Sequence, residues 1–243
     1  MVLLQRVSKT YAAGRGRRVE AVHAIDLDVD KSEFVVITGR SGCGKTTLLN
    51  LIAGLARPTS GAVLIEGRDI WELADVQRSF LRNRMFGFVF QYPSLMPSLT
   101  ILENVLLPTI FFPEDADRGA LDRARALLET VGLADKSSAY PRQLSAGQQQ
   151  RAVIARSLIN NPQVLLADEP TSNLDEQSEK EVISLFQEVH ASRGITVLLV
   201  THASQLVTHG TRRIQMSGGE ISSDNGQRKA EKHVHAAQVV KDG

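Results

Sequence analysis

The stretch that decides the fold of this 243-residue chain reads Gly39-Arg40-Ser41-Gly42-Cys43-Gly44-Lys45-Thr46-Thr47. It has the spacing G-x-x-x-x-G-K-T, follows an apolar run at 34–37 and precedes a helix-forming run at 48–53. A strand, a glycine-rich loop and a helix in this order predict a loop whose amides turn inward around phosphate oxygens. The helix adds its free N–H groups and the positive end of its dipole. The stretch therefore predicts a nucleoside triphosphate site, and the alternative is a chance glycine-rich turn.

Two side chains of this loop have predicted chemical roles. Lys45 is expected to reach the β- and γ-phosphates, and the hydroxyl of Thr46 is expected to take a Mg²⁺ position. The glycines at 39, 42 and 44 permit torsions and close approaches that a Cβ atom would block.

Composition narrows the class of protein. A net charge of +1 argues against a protein that binds nucleic acid by neutralising its phosphates. One cysteine excludes an intramolecular disulfide framework. The N-terminus lacks the uninterrupted apolar core of a signal peptide. Because Glu103, Asn104 and Pro108 interrupt the most apolar region, at 95–113, we expect no direct membrane span.

The order of patterns along the chain predicts an α/β fold with a mostly parallel sheet. Alternation of apolar and polar residues up to Val29 predicts an antiparallel strand, and the apolar run at 164–167 predicts a central parallel strand. Residues 92–158 carry helical spacing and are predicted to form a helical insertion. Residues 211–221 are predicted to be an antiparallel ending, and the polar residues 222–243 a mobile tail.

A second motif lies at the end of the predicted strand 164–167. The strand ends in Asp168 and Glu169, where ligands bind in open α/β sheets. Asp168 is expected to support Mg²⁺, and Glu169 to orient and deprotonate the water that attacks the γ-phosphate. The alternative is a solvent-facing acidic turn, which the phosphate loop makes less favourable.

A third motif, LSAGQ, precedes a long helical stretch. Ser145 suits an N-cap, and the amides that follow it would form another helix start able to bind an anion. Taken alone this is an ordinary capped helix, but beside a phosphate loop it suggests that the γ-phosphate is contacted from two sides.

Together, these motifs resemble the nucleotide-binding subunit of ABC transporters. The resemblance covers about residues 2–221 and rests on GRSGCGKT, Gln91, LSAGQ, LLADEP, SNLD at 172–175 and Thr201-His202. It implies the ABC ATPase fold: a single domain at 1–221 with a core at about 1–91 and 159–221, an antiparallel β subdomain, a helical subdomain at about 92–158, and a tail at 222–243. The strings LMPSLTILENVLLP and ADEPTSNLD look most like the lipoprotein-release and macrolide-export group.

The resemblance also implies a role for each matching residue. Tyr11 would stack on adenine, Gln91 would bind Mg²⁺ and sense the γ-phosphate, and His202 would bond the γ-phosphate. Asp175 would cross a dimer interface. A surface aromatic and a structural histidine are the alternatives for Tyr11 and His202. The expected catalytic residues are Glu169, His202, Lys45 and Gln91; the metal residues are Thr46, Gln91 and Asp168; and the nucleotide contacts are Tyr11, Gly39, Arg40, Ser41, Gly42, Cys43, Gly44, Lys45, Thr46, Thr47, Ser145, Ala146, Gly147, Gln148 and Asp175.

The partners implied by the resemblance are a second copy of the chain and an integral membrane permease. Family members form head-to-tail dimers with ATP between the phosphate loop of one subunit and the 145–148 segment of the other. The chain would then lie at the cytoplasmic face of the inner membrane, with no nucleic-acid partner. Ala146 and Ser172 stand where relatives often have glycine, and neither change is expected to inactivate the protein.

Two other functions remain as alternatives. One is an ABC ATPase that works outside transport, in cell division, DNA repair or on ribosomes. The other is a small-molecule kinase that uses the same loop. The chain has no heptad run and no paired CxxC, and its LSAGQ segment argues against a kinase.

Overall fold

The computed structural model describes residues 1–14, 17–111, 119–202 and 209–226. The strands and helices alternate along much of the chain. The strands are β1 (Val2–Ala13), β2 (Arg17–Val29), β3 (Phe34–Gly39), β4 (Ser60–Ile65), β5 (Arg68–Asp69), β6 (Phe86–Val89), β7 (Val164–Asp168), β8 (Thr196–Val200), β9 (Arg212–Ser217) and β10 (Glu220–Asp224). The helices are α1 (Lys45–Ile52), α2 (Asp75–Met85), α3 (Ile101–Leu106), α4 (Ala120–Thr130), α5 (Ala146–Leu158) and α6 (Glu176–Arg193).

Four strands form an antiparallel sheet in the order β2-β1-β4-β5. The predicted antiparallel strand that ends at Val29 is confirmed, because Val2 pairs with Val29 and β1 runs antiparallel to β2. β1 continues to Ala13, where it pairs with Arg17. Residues 8–11 are therefore strand, because 9–11 pair with β2 and Ser8 pairs with Ser60 of β4.

The other six strands form a mixed sheet in the order β10-β9-β3-β8-β7-β6. Strands β3, β6, β7 and β8 are mutually parallel, as predicted for the apolar run at 164–167. The predicted antiparallel ending is only partly right. β9 runs parallel to β3, and only β10 is antiparallel, pairing with β9.

The predicted tail boundary at residue 222 is wrong. Strand β10 continues to Asp224, and the Asn225 N–H donates to the Arg213 carbonyl. The prediction relied on polar composition, and this composition also suits β10, because β10 is an edge strand with mostly exposed side chains. Residues 227–243 of the predicted tail lie outside the described residues.

Two apolar clusters lie on the two faces of the mixed sheet. One contains α1 and the inner residues of the antiparallel sheet, and the other contains α3, α4, α5 and α6. β3 is buried at both faces between them, with Phe34, Val35, Val36 and Ile37 at most 1% exposed. This arrangement places the carboxyl ends of five parallel strands, β3, β6, β7, β8 and β9, at one edge of the sheet.

Residues 92–158 contain helices α3, α4 and α5 and short 3-10 turns. The described part of this range contains no strand. The loop before α3 is ordered by the buried Asn104, which donates to the carbonyls of Met96, Leu99 and Thr100 and accepts from the Met96 N–H. No helix in the described ranges is long and apolar enough to cross a membrane.

Candidate active site

The phosphate loop connects β3 to α1, and glycine is required at two of its positions. Gly39 has φ 153°, and a Cβ there would lie 2.4 Å from the Met216 carbonyl oxygen. Gly44, the N-cap of α1, has φ 103°, and a Cβ there would lie 2.2 Å from the Ala21 carbonyl oxygen. The loop is therefore pressed against β9 on one side and β2 on the other.

Lys45 is the first residue of α1, and its charge is buried. Its ammonium donates to the carbonyls of Gly39 (2.8 Å) and Arg40 (3.3 Å) and lies 3.8 Å from Glu169 Oε1. The side chain is only 6% exposed. Because carbonyl dipoles only partly compensate a buried charge, this ammonium is suited to bind an anion at the loop.

Asp168, the last residue of β7, points a carboxylate at the beginning of α1. Burial raises the pKa of its carboxyl. A hydrogen bond from the Thr46 hydroxyl and the charge of Lys45 act in the opposite direction. Its Oδ1 atom is buried and has no hydrogen-bond partner among the described residues. An unpaired carboxylate oxygen beside a threonine hydroxyl is an oxygen-donor set that fits Mg²⁺.

Glu169 has a backbone conformation that is unusual for a residue other than glycine. Its φ is 48°, in the left-handed region, while its N–H still donates to the Val200 carbonyl. The carboxylate contacts His202 Nδ1 and faces Lys45. Backbone strain of this kind concentrates at functional sites, and here the strained residue has its carboxylate between the His202 ring and the Lys45 ammonium.

Gln91 and Tyr11 lie in different parts of the fold. Gln91 is two residues beyond the end of β6, next to β7 at the same edge of the mixed sheet, and its carbonyl accepts from Asn173 Nδ2 at 3.5 Å. Tyr11 lies on β1 and is 40% exposed, with the Lys9 ammonium 4.9 Å from the ring centroid. Its exposed ring is available for stacking.

The 145–148 segment begins α5 and packs against α6. The Ser145 hydroxyl accepts from the Gln148 N–H, and Gln148 Oε1 accepts from the Ser145 N–H. A Cβ on Gly147 would lie 2.6 Å from Ser178 Oγ. Ser178 in turn donates to Asp175, which caps α6. Ala146 is helical with a negative φ, so its methyl group causes no backbone strain.

The structure therefore groups the predicted site residues in two places. Lys45, Thr46, Asp168, Glu169 and His202 form one cluster, and Gln91 lies at the same sheet edge. The second group comprises Ser145, Ala146, Gly147, Gln148 and Asp175, at the beginnings of α5 and α6.

One residue of the first cluster was not predicted as a site residue. The Ser172 N–H donates to the Glu169 carbonyl, and Ser172 Oγ is buried with no partner among the described residues. The sequence signal was its place three residues after Glu169.

Comparison with known proteins decides the family. A family model described as "ABC transporter" matches residues 22–172, which include the phosphate loop, LSAGQ and the carboxylate pair. The chain belongs to the ABC transporter family. It is an ABC ATPase, the ATP-binding part of such a transporter, so the family and the enzyme class predicted from sequence are confirmed.

Similar ABC proteins include members of the predicted lipoprotein-release and macrolide-export group. The lipoprotein-releasing system ATP-binding protein LolD of Syntrophotalea carbinolica is 40% identical over 222 residues, which are 91% of this chain and 97% of LolD. The macrolide export ATP-binding/permease protein MacB of Syntrophobacter fumaroxidans is 42% identical over 227 residues, 93% of this chain. The chain spans only 32% of that MacB.

The predicted ABC fold is confirmed by a solved structure. The ATP-binding cassette MJ0796, a dimer in a post-hydrolysis state bound to ADP and Pi, is 39% identical to this ABC chain, with a TM-score of 0.85. The match covers 94% of this chain and 100% of that one.

Proposed function

We propose that this ABC ATPase hydrolyses Mg²⁺-ATP between two head-to-tail copies of the chain and thereby drives an integral membrane permease from the cytoplasmic face of the inner membrane. The observation that carries the proposal is the cluster of Lys45, Asp168, Glu169 and His202 around the phosphate loop.

Triphosphate binding follows from the amides and the buried charge of the loop. The backbone N–H groups at 42–47 would donate hydrogen bonds to the phosphate oxygens, and Lys45 would exchange its two carbonyl partners for the β- and γ-phosphates. Thr46, Asp168 and Gln91 would hold Mg²⁺, which would neutralise charge on the β- and γ-phosphate oxygens. Tyr11 would stack on the adenine.

Hydrolysis requires a base and a group that holds the γ-phosphate. Glu169 takes a proton from water as the water oxygen bonds to the γ-phosphorus and the bond to the ADP oxygen breaks. His202, which contacts Glu169, would turn toward a γ-phosphate oxygen and so hold the transferred phosphoryl group beside the base.

The second group of site residues supplies the other half of an ATP site. The 145–148 segment exposes a helix N-terminus, and a second copy in head-to-tail orientation would place this terminus against the γ-phosphate. The dimeric state of the similar cassette MJ0796 supports this arrangement. Removal of the γ-phosphate would then separate the two copies.

A groove beside β6 supports the proposal of a membrane partner. It has a volume of about 430 Å³, and its lining includes Phe88, Phe90 and Phe111 together with the guanidinium groups of Arg82 and Arg156. The Phe90 and Phe111 rings are exposed, and exposed aromatic rings beside two arginines suit a short apolar segment with a carboxylate. We assign this groove to the permease, with residues 92–158 as a helical subdomain that transmits motion from the core at 1–91 and 159–221.

The test uses Glu169→Gln, with Lys45→Ala as the control. Loss of a positioned base is expected to lower the rate of phosphate release by about 10²–10⁴-fold. Glu169→Gln should form a dimer with Mg²⁺-ATP, measured by light scattering after gel filtration, whereas Lys45→Ala should neither bind ATP nor dimerise. If Glu169→Gln hydrolysed ATP at the wild-type rate, Glu169 would not be the base.

The partner is tested with the same trapped variant. Tagged Glu169→Gln is purified from detergent-solubilised native membranes with ATP, and the associated proteins are identified by mass spectrometry. We expect a stoichiometric membrane protein, and its recovery should fall when Phe90→Asp places a charge in the groove. Recovery of ribosomal or DNA-bound proteins without a membrane protein would refute the transport function.

A further inference from the structure

The loop that carries Gln91 is held on both sides by side chains of α5. Gln150 Nε2 donates to the Phe90 carbonyl at 3.3 Å, immediately before Gln91. Arg156 Nη1 donates to the Ser94 carbonyl at 2.6 Å, and Arg156 Nη2 donates to Ser94 Oγ at 3.0 Å, three residues after Gln91. The loop at 90–94 is thus tied to α5 at two points.

The Arg156 contact is the stronger of the two. A charged guanidinium with two donors fixes both the position and the orientation of the residue it binds. The guanidinium is partly removed from water, and this burial lowers its pKa below the ordinary value for arginine. Since a desolvated cation needs its acceptors, the bonds to Ser94 resist exchange with water.

α5 also begins at the 145–148 segment. In the proposed dimer, that segment contacts the nucleotide held by the other copy, while Gln91 contacts the nucleotide of its own copy. The hydrogen bonds between the Gln91 loop and α5 therefore connect the parts of one chain that contribute to the two ATP sites of the dimer.

We propose that Arg156 is a positioning residue that holds the Gln91 loop to α5, so that Gln91 reaches Mg²⁺ only together with a movement of α5. The proposal rests on the proposed function, specifically on the contact of Gln91 with Mg²⁺. Arg156 itself touches neither metal nor nucleotide in it.

The main test is Arg156→Met, which keeps an apolar stem and removes both donors. Loss of charge-assisted bonds should speed hydrogen exchange of the peptide that spans residues 90–96 about tenfold. The Mg²⁺ concentration for half-maximal ATP hydrolysis should rise by a similar factor. ATP affinity in EDTA should stay unchanged, which separates positioning from loss of the nucleotide site.

Two further variants keep the test informative if Arg156→Met folds poorly. Ser94→Ala removes one acceptor at an exposed loop position and should change both quantities about threefold. Arg156→Lys should recover part of the effect of Arg156→Met. In the Arg156→Met background, Ser94→Ala should add nothing, because the partner of its hydroxyl is already gone.

Arg151→Met is the matched control, because Arg151 also lies on α5 and donates to a backbone carbonyl, that of Val131. It should leave exchange at 90–96 and the Mg²⁺ dependence unaltered. Equal effects from Arg151→Met and Arg156→Met, or wild-type exchange in Arg156→Met, would overturn the proposal. The exchange measurement needs no ATP hydrolysis, so failure of the proposed function remains distinguishable.

Discussion

Asp168 carries a charge at a position where water cannot fully stabilise it. Burial raises the pKa of its carboxyl from the ordinary value of 3.8, and the neighbouring Glu169 charge raises it further. An acid whose pKa is raised on folding destabilises the folded state when it ionises. This loss of folding free energy is full above the pKa of the folded state. It is absent below 3.8, where the carboxyl is protonated in both the folded and the unfolded state.

Asp168→Asn should therefore stabilise the nucleotide-free protein while it abolishes ATP hydrolysis. At pH 7.5 we expect the melting temperature to rise by about 2–4 °C, equivalent to about 1 kcal/mol for a domain of this size. The gain should shrink as pH falls through the folded pKa toward 3.8. Calorimetry at several pH values measures it, with the exposed Asp122→Asn as control. A melting temperature at pH 7.5 equal to wild type would contradict the argument.

At the scale of elements, α3 and α5 each begin with a capping box. The hydroxyl of Thr100 accepts from the Glu103 N–H, and Glu103 accepts from Thr100, in the manner of Ser145 and Gln148. Both capping boxes stabilise a helix start. Only the second lies in a segment proposed to bind nucleotide.

Thr100→Ala and Ser145→Ala are therefore a matched pair. Each removes an N-cap hydroxyl and should lower the free energy of unfolding by about 1 kcal/mol, measured by urea denaturation. Only Ser145→Ala should also reduce ATP hydrolysis, because its segment meets the nucleotide of the other copy. An equal loss of hydrolysis in both variants at matched stability would argue against a nucleotide contact at Ser145.

At the scale of the whole molecule, Arg212 joins the β9–β10 hairpin to residues near the beginning of β3. Its guanidinium, on β9, donates to both Asp224 carboxylate oxygens, at 3.0 and 2.7 Å. It also donates to Glu33 Oε2 at 3.0 Å and to the Asp28 carbonyl at 2.6 Å. Arg212 thus connects the β9–β10 hairpin to the end of β2 and to the residue before β3, the strand that leads into the phosphate loop.

Asp224→Asn should destabilise the fold by about 2 kcal/mol at pH 7, because Arg212 loses a paired charge. Burial raises the pKa of Asp224, but hydrogen bonds from Arg212 and the Gly226 N–H outweigh it, so the pKa lies below 3.8. The stabilisation is full above that ordinary value and is lost as pH falls through the lowered pKa. Urea denaturation at pH 7 and at pH 3 should show a smaller difference between wild type and variant at pH 3.

The control is Glu220→Gln, on the same hairpin as Asp224, which removes an exposed contact with His23 of β2. Exposed pairs contribute little, so the free energy of unfolding should change by less than about 0.5 kcal/mol. A loss as large as that of Asp224→Asn would mean that hairpin charge in general, rather than the Arg212 contact, stabilises the fold.

The sequence by itself determined the phosphate loop, the parallel strands and the family. Phosphate binding by consecutive amides is a property of nine adjacent residues, and a strand buried on both faces is continuously apolar, so both are readable locally. The 145–148 helix start was readable for the same reason, because a capping box lies within four residues.

Tertiary structure decided everything that depends on which strands are neighbours. β9 is parallel because it pairs with β3, and Asp224 is ordered because Arg212 reaches it. His202 meets Glu169 because β7 and β8 are adjacent and end at one edge. The tie between Arg156 and Ser94 joins residues 62 positions apart. Such contacts form only when the sheet and helices pack, since no local sequence pattern at either residue indicates which residue it will contact.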